Sequence, residues 1–372
     1  MKILHTADWH IGRRLNGTDL LSDQMHVLDQ LIEYIKNEEI DLCVIAGDVF
    51  DRSNPSQAAL ELVNEYLYRI NIGLGVPVLA ISGNHDSRSR LGYGSRWFEK
   101  SNYHMRTSIG DILDPVIIDD HHFYMVPYMD VLEAKQYFKD ESIISHHDVY
   151  RKVTGEIRKR IDHDARNIFV GHMFISDAKS SDSERPLSIG LSEEVGTDLF
   201  TDFELVLLGH LHHPFAIEHD SIFYSGSLLK YSFSETRQPK GFRVIDTGEE
   251  NECRFVPAES KCDLVHYKGS YDEVINEKVA FRDNNAYFKF ELTGLETIKD
   301  PMAKLKMIYP NTLELRPVIE TRESSMSKVD VNQSTDREIF DAFIAQVHGT
   351  ELTAYQEDLF KQLFKGDADE TD

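Results

Sequence analysis

The sequence has little that would cross-link it or hold it in a bilayer. Its three cysteines, Cys43, Cys253 and Cys262, form no CxxC pair, which argues against a disulfide framework and a cysteine-held structural zinc. Cys43 lies within the apolar run Leu42-Cys43-Val44-Ile45, and all three read as reduced, structural thiols. No stretch approaches the roughly 20 apolar residues of a membrane-spanning helix. The opening apolar run meets Asp8 almost at once, leaving no room for a signal peptide's hydrophobic region; the expected location is the cytoplasm, with no membrane involved. Positive charge is also scarce, with 40 Lys and Arg against 64 Asp and Glu and a formal net charge of -24. Phosphate backbones are held largely by Lys and Arg, so this balance argues against a simple basic nucleic-acid binder. Any affinity for DNA must come from metals, local basic patches or a partner. There is no internal repeat.

What is present fits a soluble globular chain: 372 residues, 41% hydrophobic and 28% charged, enough for one large catalytic domain with smaller additions. The first half alternates short runs rich in Val and Ile with helical patterns, the rhythm of an α/β sheet. Strands are expected at Lys2 to Ala7, Asp41 to Ala46, Pro77 to Ser82, Val116 to Met125, Ile168 to Val170, Leu205 to Leu208 and Ser221 to Tyr224. Val27, Leu28, Leu31, Ile32 and Ile35 form a stripe at helical spacing, a helix packed on the sheet. After Pro257 the pattern becomes strand, helix, strand, helix, strand over 263–320, a small α+β domain. A polar stretch at 321–336 reads as a linker. Two short amphipathic stripes follow in 337–372, and the chain ends in an acidic run.

Several expected strands end in a short motif of Asp, Asn or His: Asp8-Trp9-His10, Gly47-Asp48, Gly83-Asn84-His85-Asp86, Gly171-His172 and Gly209-His210-Leu211-His212. In open α/β sheets ligands bind beyond the carboxyl ends of strands, so these motifs are expected to converge. The glycines suit tight turns and close backbone approach. Carboxylate, amide and imidazole together are ligands of intermediate hardness, suited to manganese, iron or zinc more than to calcium or to magnesium alone. Two metals about 3.5 to 4 Å apart clamp the attacking and leaving oxygens of a phosphoryl displacement, and a shared carboxylate holds them there. Asp48, in the middle of the set, is the candidate bridge. The histidines His121, His122, His146, His147, His213, His219 and His348 have polar neighbours in sequence and are expected on the surface or on helix faces.

These motifs, D-x-H, G-D, G-N-H-D, G-H and G-H-x-H, resemble the signature of the calcineurin-like metallophosphoesterase superfamily over roughly residues 1 to 230. Asp8-Trp9-His10-Ile11-Gly12, Gly47-Asp48-Val49-Phe50-Asp51-Arg52 and Tyr224-Ser225-Gly226-Ser227 bring the sequence nearest to DNA double-strand-break-repair nuclease subunits of the SbcD type. The resemblance implies a four-layer α/β/β/α sandwich over 1–260, a small capping domain at 263–320 that faces DNA, a linker at 321–336 and a helical tail at 337–372. It implies that Asp8, His10, Asp48 and His212 hold one metal, and that Asp48, Asn84, His172 and His210 hold the other, with Mn²⁺ as the metal. His85 would act on the scissile phosphate as general acid or transition-state stabiliser, oriented by Asp86. Some relatives carry a histidine where Asp51 stands, so no catalytic role passes to Asp51.

The implied reaction is exonuclease cleavage of duplex ends, in the 3'-5' direction, and endonuclease cleavage of single strands or hairpins. The alternative is a phosphoesterase of the same fold acting on nucleotides, cyclic nucleotides or phosphoproteins. Arg13, Arg14, Arg52, Arg88 and Arg90, near the motifs, stand either as phosphate contacts or as solvated surface. Arg151, Lys152, Arg158, Lys159 and Arg160 read as an exposed helix face. On its residues alone the tail either binds a partner helix-in-groove or folds back. The resemblance implies the first: docking on the coiled coil of an SbcC-type ATPase, as part of a heterotetramer that contains a homodimer of this subunit.

Overall fold

Short apolar runs bounded by turn residues become strands, and the longer periodic stretches become helices. The computed structural model describes residues 1–176, 178, 184, 193–248, 251–318, 340, 341 and 356. Its main elements begin with β1 Lys2–Thr6, α1 Leu21–Asn37, β2 Leu42–Ala46, α2 Gln57–Tyr68, β3 Val78–Ile81, β4 Tyr103–Arg106, β5 Val116–Ile118 and β6 His121–Val126. Then come α3 Val131–Phe138, α4 His146–Arg158, β7 Arg166–His172, β8 Leu205–Gly209, β9 Ile222–Tyr224, β10 Gly241–Asp246 and β11 Glu252–Pro257. The last are β12 Leu264–Ser270, α5 Tyr271–Ile275, β13 Tyr287–Thr293, α6 Pro301–Ile308 and β14 Thr312–Pro317.

One sheet has the order β11-β10-β1-β2-β3-β4; its strands β1 to β4 run parallel, and β10 and β11 close it antiparallel. The other has the order β9-β8-β7-β6-β5 and is parallel except for the β5–β6 hairpin. The alternation along β2 shows how they stack. Leu42, Val44 and Ala46 join Phe123, Met125, Ile168, Val170, Leu205 and Leu207 in a core between the sheets. Cys43 and Ile45 point the other way, into a core with Val27, Leu28, Leu31 and Ile35 of α1. Behind the second sheet, Tyr124, Phe169, Val206 and Leu208 pack with Val149, Val153 and Ile157 of α4. Three cores separate four layers, α/β/β/α, and strands buried on both faces read as continuous apolar runs.

Two features differ from the sequence reading. The run Val116 to Met125 is a hairpin, turning where Asp119 takes φ 53°. Strands β4, β10 and β11 were not expected, because Tyr103–Arg106, Gly241–Asp246 and Glu252–Pro257 mix charge and apolar residues and so lack the apolar run that marks the central strands.

A third sheet, β12-β13-β14, has its own core of Tyr271, Val274, Phe288, Phe290, Leu292, Leu305 and Tyr309. The chain divides into two compact units, Met1–Arg316 and Pro317–Asp372. The linker and tail expected over 321–372 lie, except for Phe340, Asp341 and Gln356, outside the described residues. Among the described residues no helix is long and apolar enough to cross a membrane.

Candidate metal centre

The five motifs leave the carboxyl ends of β1, β2, β3, β7 and β8. Beyond β1 and β2 the chain continues paired without regular strand: the N–H groups of Asp8, His10 and Ile11 donate to the carbonyls of Gly47, Asp48 and Val49 at 3.0, 3.0 and 2.9 Å. Gln24 of α1 fixes the first loop, its Nε2 donating to the His10 carbonyl at 2.8 Å and its Oε1 accepting from Gly12 N at 3.0 Å. Asp8, His10, Asp48 and His210 have φ values of 53°, 43°, 51° and 99°. Left-handed backbone outside glycine costs of order 1–3 kcal/mol per residue and gathers where function requires it. At Gly83 a Cβ would lie 2.1 Å from Asp48 Oδ1, and at Gly209 it would lie 2.0 Å from the Ala46 carbonyl. Gly83 lets two loops of the first sheet close on each other, and Gly209 lets the strand ends of the two sheets meet.

The side chains converge accordingly. His10 and His212, both buried, bring their Nε2 atoms to 3.1 Å. Asp48 Oδ2 lies 3.6 Å from His10 Nε2 and 3.5 Å from His172 Nε2, between one histidine from each sheet. Asn84 Oδ1 is 3.0 Å from His172 Nε2, and the His210 ring stands edge-on to His172 at 5.4 Å. Both oxygens of Asp8 accept from His210 N, at 3.0 and 3.1 Å. Asp8, His10 and His212 form one group of donor atoms lying within 4.8 Å of one another, and Asp8, Asp48 and His172 form a second. His172 Nδ1 is 2.9 Å from the Ala46 carbonyl. A bond there places the proton on Nδ1 and leaves the Nε2 lone pair for the centre.

The electrostatics call for a cation. Burial pushes the Asp8 carboxyl up to about 6, and burial together with Asp48 pushes Asp86 up to about 7. Burial opposes charge on Asp48 too, but His172, His10 and His85 hold it well below the usual carboxylate range. His10 and His210 are driven well below the usual imidazole range, chiefly by burial, whereas Asp48 lifts His172, against its burial, to about 9. Buried carboxylates need positive charge beside them, and of these imidazoles His10 and His210 resist supplying it by protonation. The donor set of carboxylate, amide and imidazole, with the His10 and His212 Nε2 atoms face to face, fits divalent metal.

His85 sits at the edge. Its backbone N donates to Asp48 Oδ1 at 2.9 Å, its Nδ1 is 2.8 Å from the Asp51 carbonyl, and its Nε2 is 4.0 Å from Asp48 Oδ2. Asp86 corrects the sequence reading. Its carboxylate accepts from the backbone N–H groups of Gly83, Phe50 and Val49 at 3.0, 2.9 and 3.2 Å, tying the β2 and β3 loops together. The group that meets the His85 ring nitrogen is the carbonyl of Asp51. Asp51 itself is buried and shared by Arg13 at 2.8 Å and Arg52 at 3.3 Å.

The other arginines scatter. Arg14 donates to the Gly17 carbonyl at 2.6 Å, Arg88 pairs with Glu133 and the Tyr128 carbonyl, and Arg90 donates to Asn54. On α4, Arg151, Lys152 and Arg158 pair with acids, as does Lys159 just beyond it. Two histidines expected on the surface or on helix faces are buried: His121, in β6, whose Nε2 meets Thr247 Oγ1 at 2.8 Å, and His146, at the start of α4, stacked on Tyr128. His121 alternates with Phe123 and Met125 along β6, a period-two signal that could have placed it inside. Sequence reasoning also passed over Glu235 and Lys240, fully and nearly fully buried against His212.

Comparison with known proteins agrees in extent with this geometry. The calcineurin-like phosphoesterase family model matches residues 1–214, which contain all five strand-end motifs. A model described as the type 5 capsule protein repressor C-terminal domain matches residues 261–348. The chain is 42% identical over 366 residues to the SbcD subunit of the nuclease SbcCD from Staphylococcus epidermidis, covering 98% of each chain. It is 42% identical over 359 residues to the protein of that name from Staphylococcus saprophyticus, covering 96% of each. Among solved structures, a dimetal phosphatase from Danio rerio matches at 13% identity over 70% of this chain and 99% of that one, with a TM-score of 0.38.

Proposed function

The chain belongs to the calcineurin-like phosphoesterase family and is a metal-dependent phosphodiesterase; on that premise we propose that it is the nuclease subunit of an SbcC–SbcD-type complex. In this reading it uses two Mn²⁺ ions, degrades duplex DNA ends in the 3'-5' direction and nicks single-stranded or hairpin DNA. The observation that carries the chemistry is Asp48, 3.6 and 3.5 Å from the Nε2 atoms of His10 and His172, the position of a bridging carboxylate. One ion would take Asp8, His10, Asp48 and His212; the other would take Asp48, Asn84, His172 and His210. Bound cations supply Lewis-acid polarisation of the phosphoryl group and a water of lowered pKa.

The protein's own groups do the rest. Asp48 and Asp8 set the spacing of the donors, and Asp86 holds the β2 and β3 loops that carry Asp48 and His85. His85, with Nδ1 anchored on the Asp51 carbonyl, turns Nε2 toward the centre, where it would donate a proton to the scissile phosphate or its leaving oxygen. Arg52, 75% exposed although paired with Asp51, and Arg14 are the rim cations we assign to backbone phosphates; Arg13 and Arg88, 22% and 31% exposed, are held by acids with less of their surface open.

The net charge of -24 supports a complex in which an SbcC-type coiled-coil ATPase, docked on the tail at 337–372, adds DNA-binding surface. The exposed apolar side chains Leu60, Tyr68, Ile72, Tyr93, Trp97 and Phe98 support a homodimer contact at α2, the turn just after it and the turns that follow β3. In the testing experiment, purified protein and its Asp48→Ala and His85→Ala variants receive Mn²⁺ and end-labelled duplex, hairpin DNA, a chromogenic phosphodiester or a phosphopeptide. Cleavage of DNA by the wild type alone is expected. Equal cleavage by all three proteins, or preference for the phosphopeptide, overturns the reading.

A further inference from the structure

His212 is held at every backbone and ring position except the one that faces the centre. Its N–H donates to Glu184 Oε1 at 2.7 Å. Its carbonyl accepts from Ser227 N at 3.2 Å and from Lys240 Nζ at 2.9 Å. Its Nδ1 lies 3.1 Å from Glu235 Oε1, and Nε2 turns toward His10. Glu235 and Lys240 are themselves an ion pair at 2.8 Å, 0% and 7% exposed. The second Glu235 oxygen also accepts from Tyr231 N at 3.0 Å, and Lys240 Nζ also donates to Ser227 Oγ at 2.9 Å. The motif Tyr224-Ser225-Gly226-Ser227, which the metal ligands leave unexplained, acquires a use here. At Gly226, with φ +72°, a Cβ would lie 2.8 Å from the His212 carbonyl, so glycine lets this loop close over it.

Building on the two-metal reading above, we infer that Glu235 and Lys240 form a buried ionic clamp that grips the His212 ring and carbonyl, making both of them positioning residues for one metal. Both lie outside the matched spans 1–214 and 261–348. Stability alone accounts poorly for such a pair, since a buried ion pair is often no more stabilising than apolar side chains of the same size. Orientation accounts for it better: each partner uses a further contact on the same histidine. A carboxylate on the far nitrogen of a metal-binding histidine fixes the tautomer and raises ligand basicity. Glu235 is placed to do this for His212, as the Ala46 carbonyl is for His172.

The test loads the full chain with Mn²⁺ and compares wild type with Glu235→Gln and with Glu235→Gln/Lys240→Met, which leaves no buried charge unpaired. Calorimetric titration is expected to find two ions per wild-type chain. In both variants one ion should bind as in wild type and the other about 10- to 100-fold more weakly. Electron paramagnetic resonance at limiting Mn²⁺ should show the spin-coupled pair giving way to isolated ions. Two ions at wild-type affinity in the variants overturn the clamp while leaving the two-metal reading intact. A wild type that binds fewer than two overturns both. Histidine-selective nitrogen NMR of the zinc-loaded wild type reads the same point without any variant. A slowly exchanging proton on His212 Nδ1 is expected, and a proton on Nε2 overturns the clamp.

Discussion

The two sheets contribute unlike halves of the centre. The first supplies Asp8, Asp48 and Asn84 with His10 and His85; the second supplies only imidazoles, His172, His210 and His212. In the first half three residues sit in left-handed backbone and their loops pair with each other. The second half is oriented from outside itself, His172 by the Ala46 carbonyl of the first sheet and His212 by Glu235. Negative charge therefore comes from one sheet, while the other brings imidazole donors whose direction is set by hydrogen bonds. Neither sheet makes a site alone, because the carboxylates need a cation and the imidazoles need the carboxylates to bring one.

The sharpest way to break this asymmetry is Asp48→Ala, which removes the group common to both halves. Several kcal/mol of charge stabilisation should go with it, about 10³-fold or more in cleavage rate, together with metal from both positions. His172→Ala should empty one position and leave the other; equal metal loss in the two variants would mean the halves are equivalent. His85→Ala comes next. It belongs to the first half by position but is assigned no metal, so turnover should fall between about 10²- and 10³-fold with Mn²⁺ content unchanged. Metal loss in that variant would make it a ligand. Gly83→Ala removes no donor, yet its Cβ would lie 2.1 Å from Asp48 Oδ1. Displacing Asp48 by about 1 Å should cost about 10²-fold, measurable as a parallel fall in rate and Mn²⁺ affinity.

The first half was more legible in the sequence than what supports the second. Strands buried on both faces, such as Leu42–Ala46 and Leu205–Gly209, print as apolar runs, and a polar motif at the end of such a run stands out. Glu235 and Lys240 gave no such signal: they lie in a polar stretch around a short turn, where an acid or a lysine looks like solvated surface until its burial is seen. Asp86 misled for a related reason. Its neighbour in sequence is His85, but its carboxylate reaches three backbone amides on two loops, a tertiary fact with no local pattern. Nor does left-handed backbone at Asp8, His10 and Asp48 show in residue identity, since only the paired loops impose it. Asp51 was set aside as a departure from the family pattern, yet its carbonyl anchors the His85 ring that the proposed mechanism uses.

The rim offers the smallest effect and the finest discrimination. Arg52 is 75% exposed, and its partner Asp51 also holds Arg13 at 2.8 Å, so removing Arg52 leaves no buried charge unpaired. Exposed ion pairs are worth up to about 1 kcal/mol, roughly a factor of five. Arg52→Ala should therefore raise KM for DNA by no more than about fivefold, leave kcat and Mn²⁺ content alone, and lose its effect as salt is raised. Arg88→Ala, whose guanidinium is already taken by Glu133 and the Tyr128 carbonyl, should raise it less. A far larger, salt-dependent rise at Arg52 would mean that this acidic chain grips DNA at the rim of its anionic half, and the argument that a partner supplies that grip would fall.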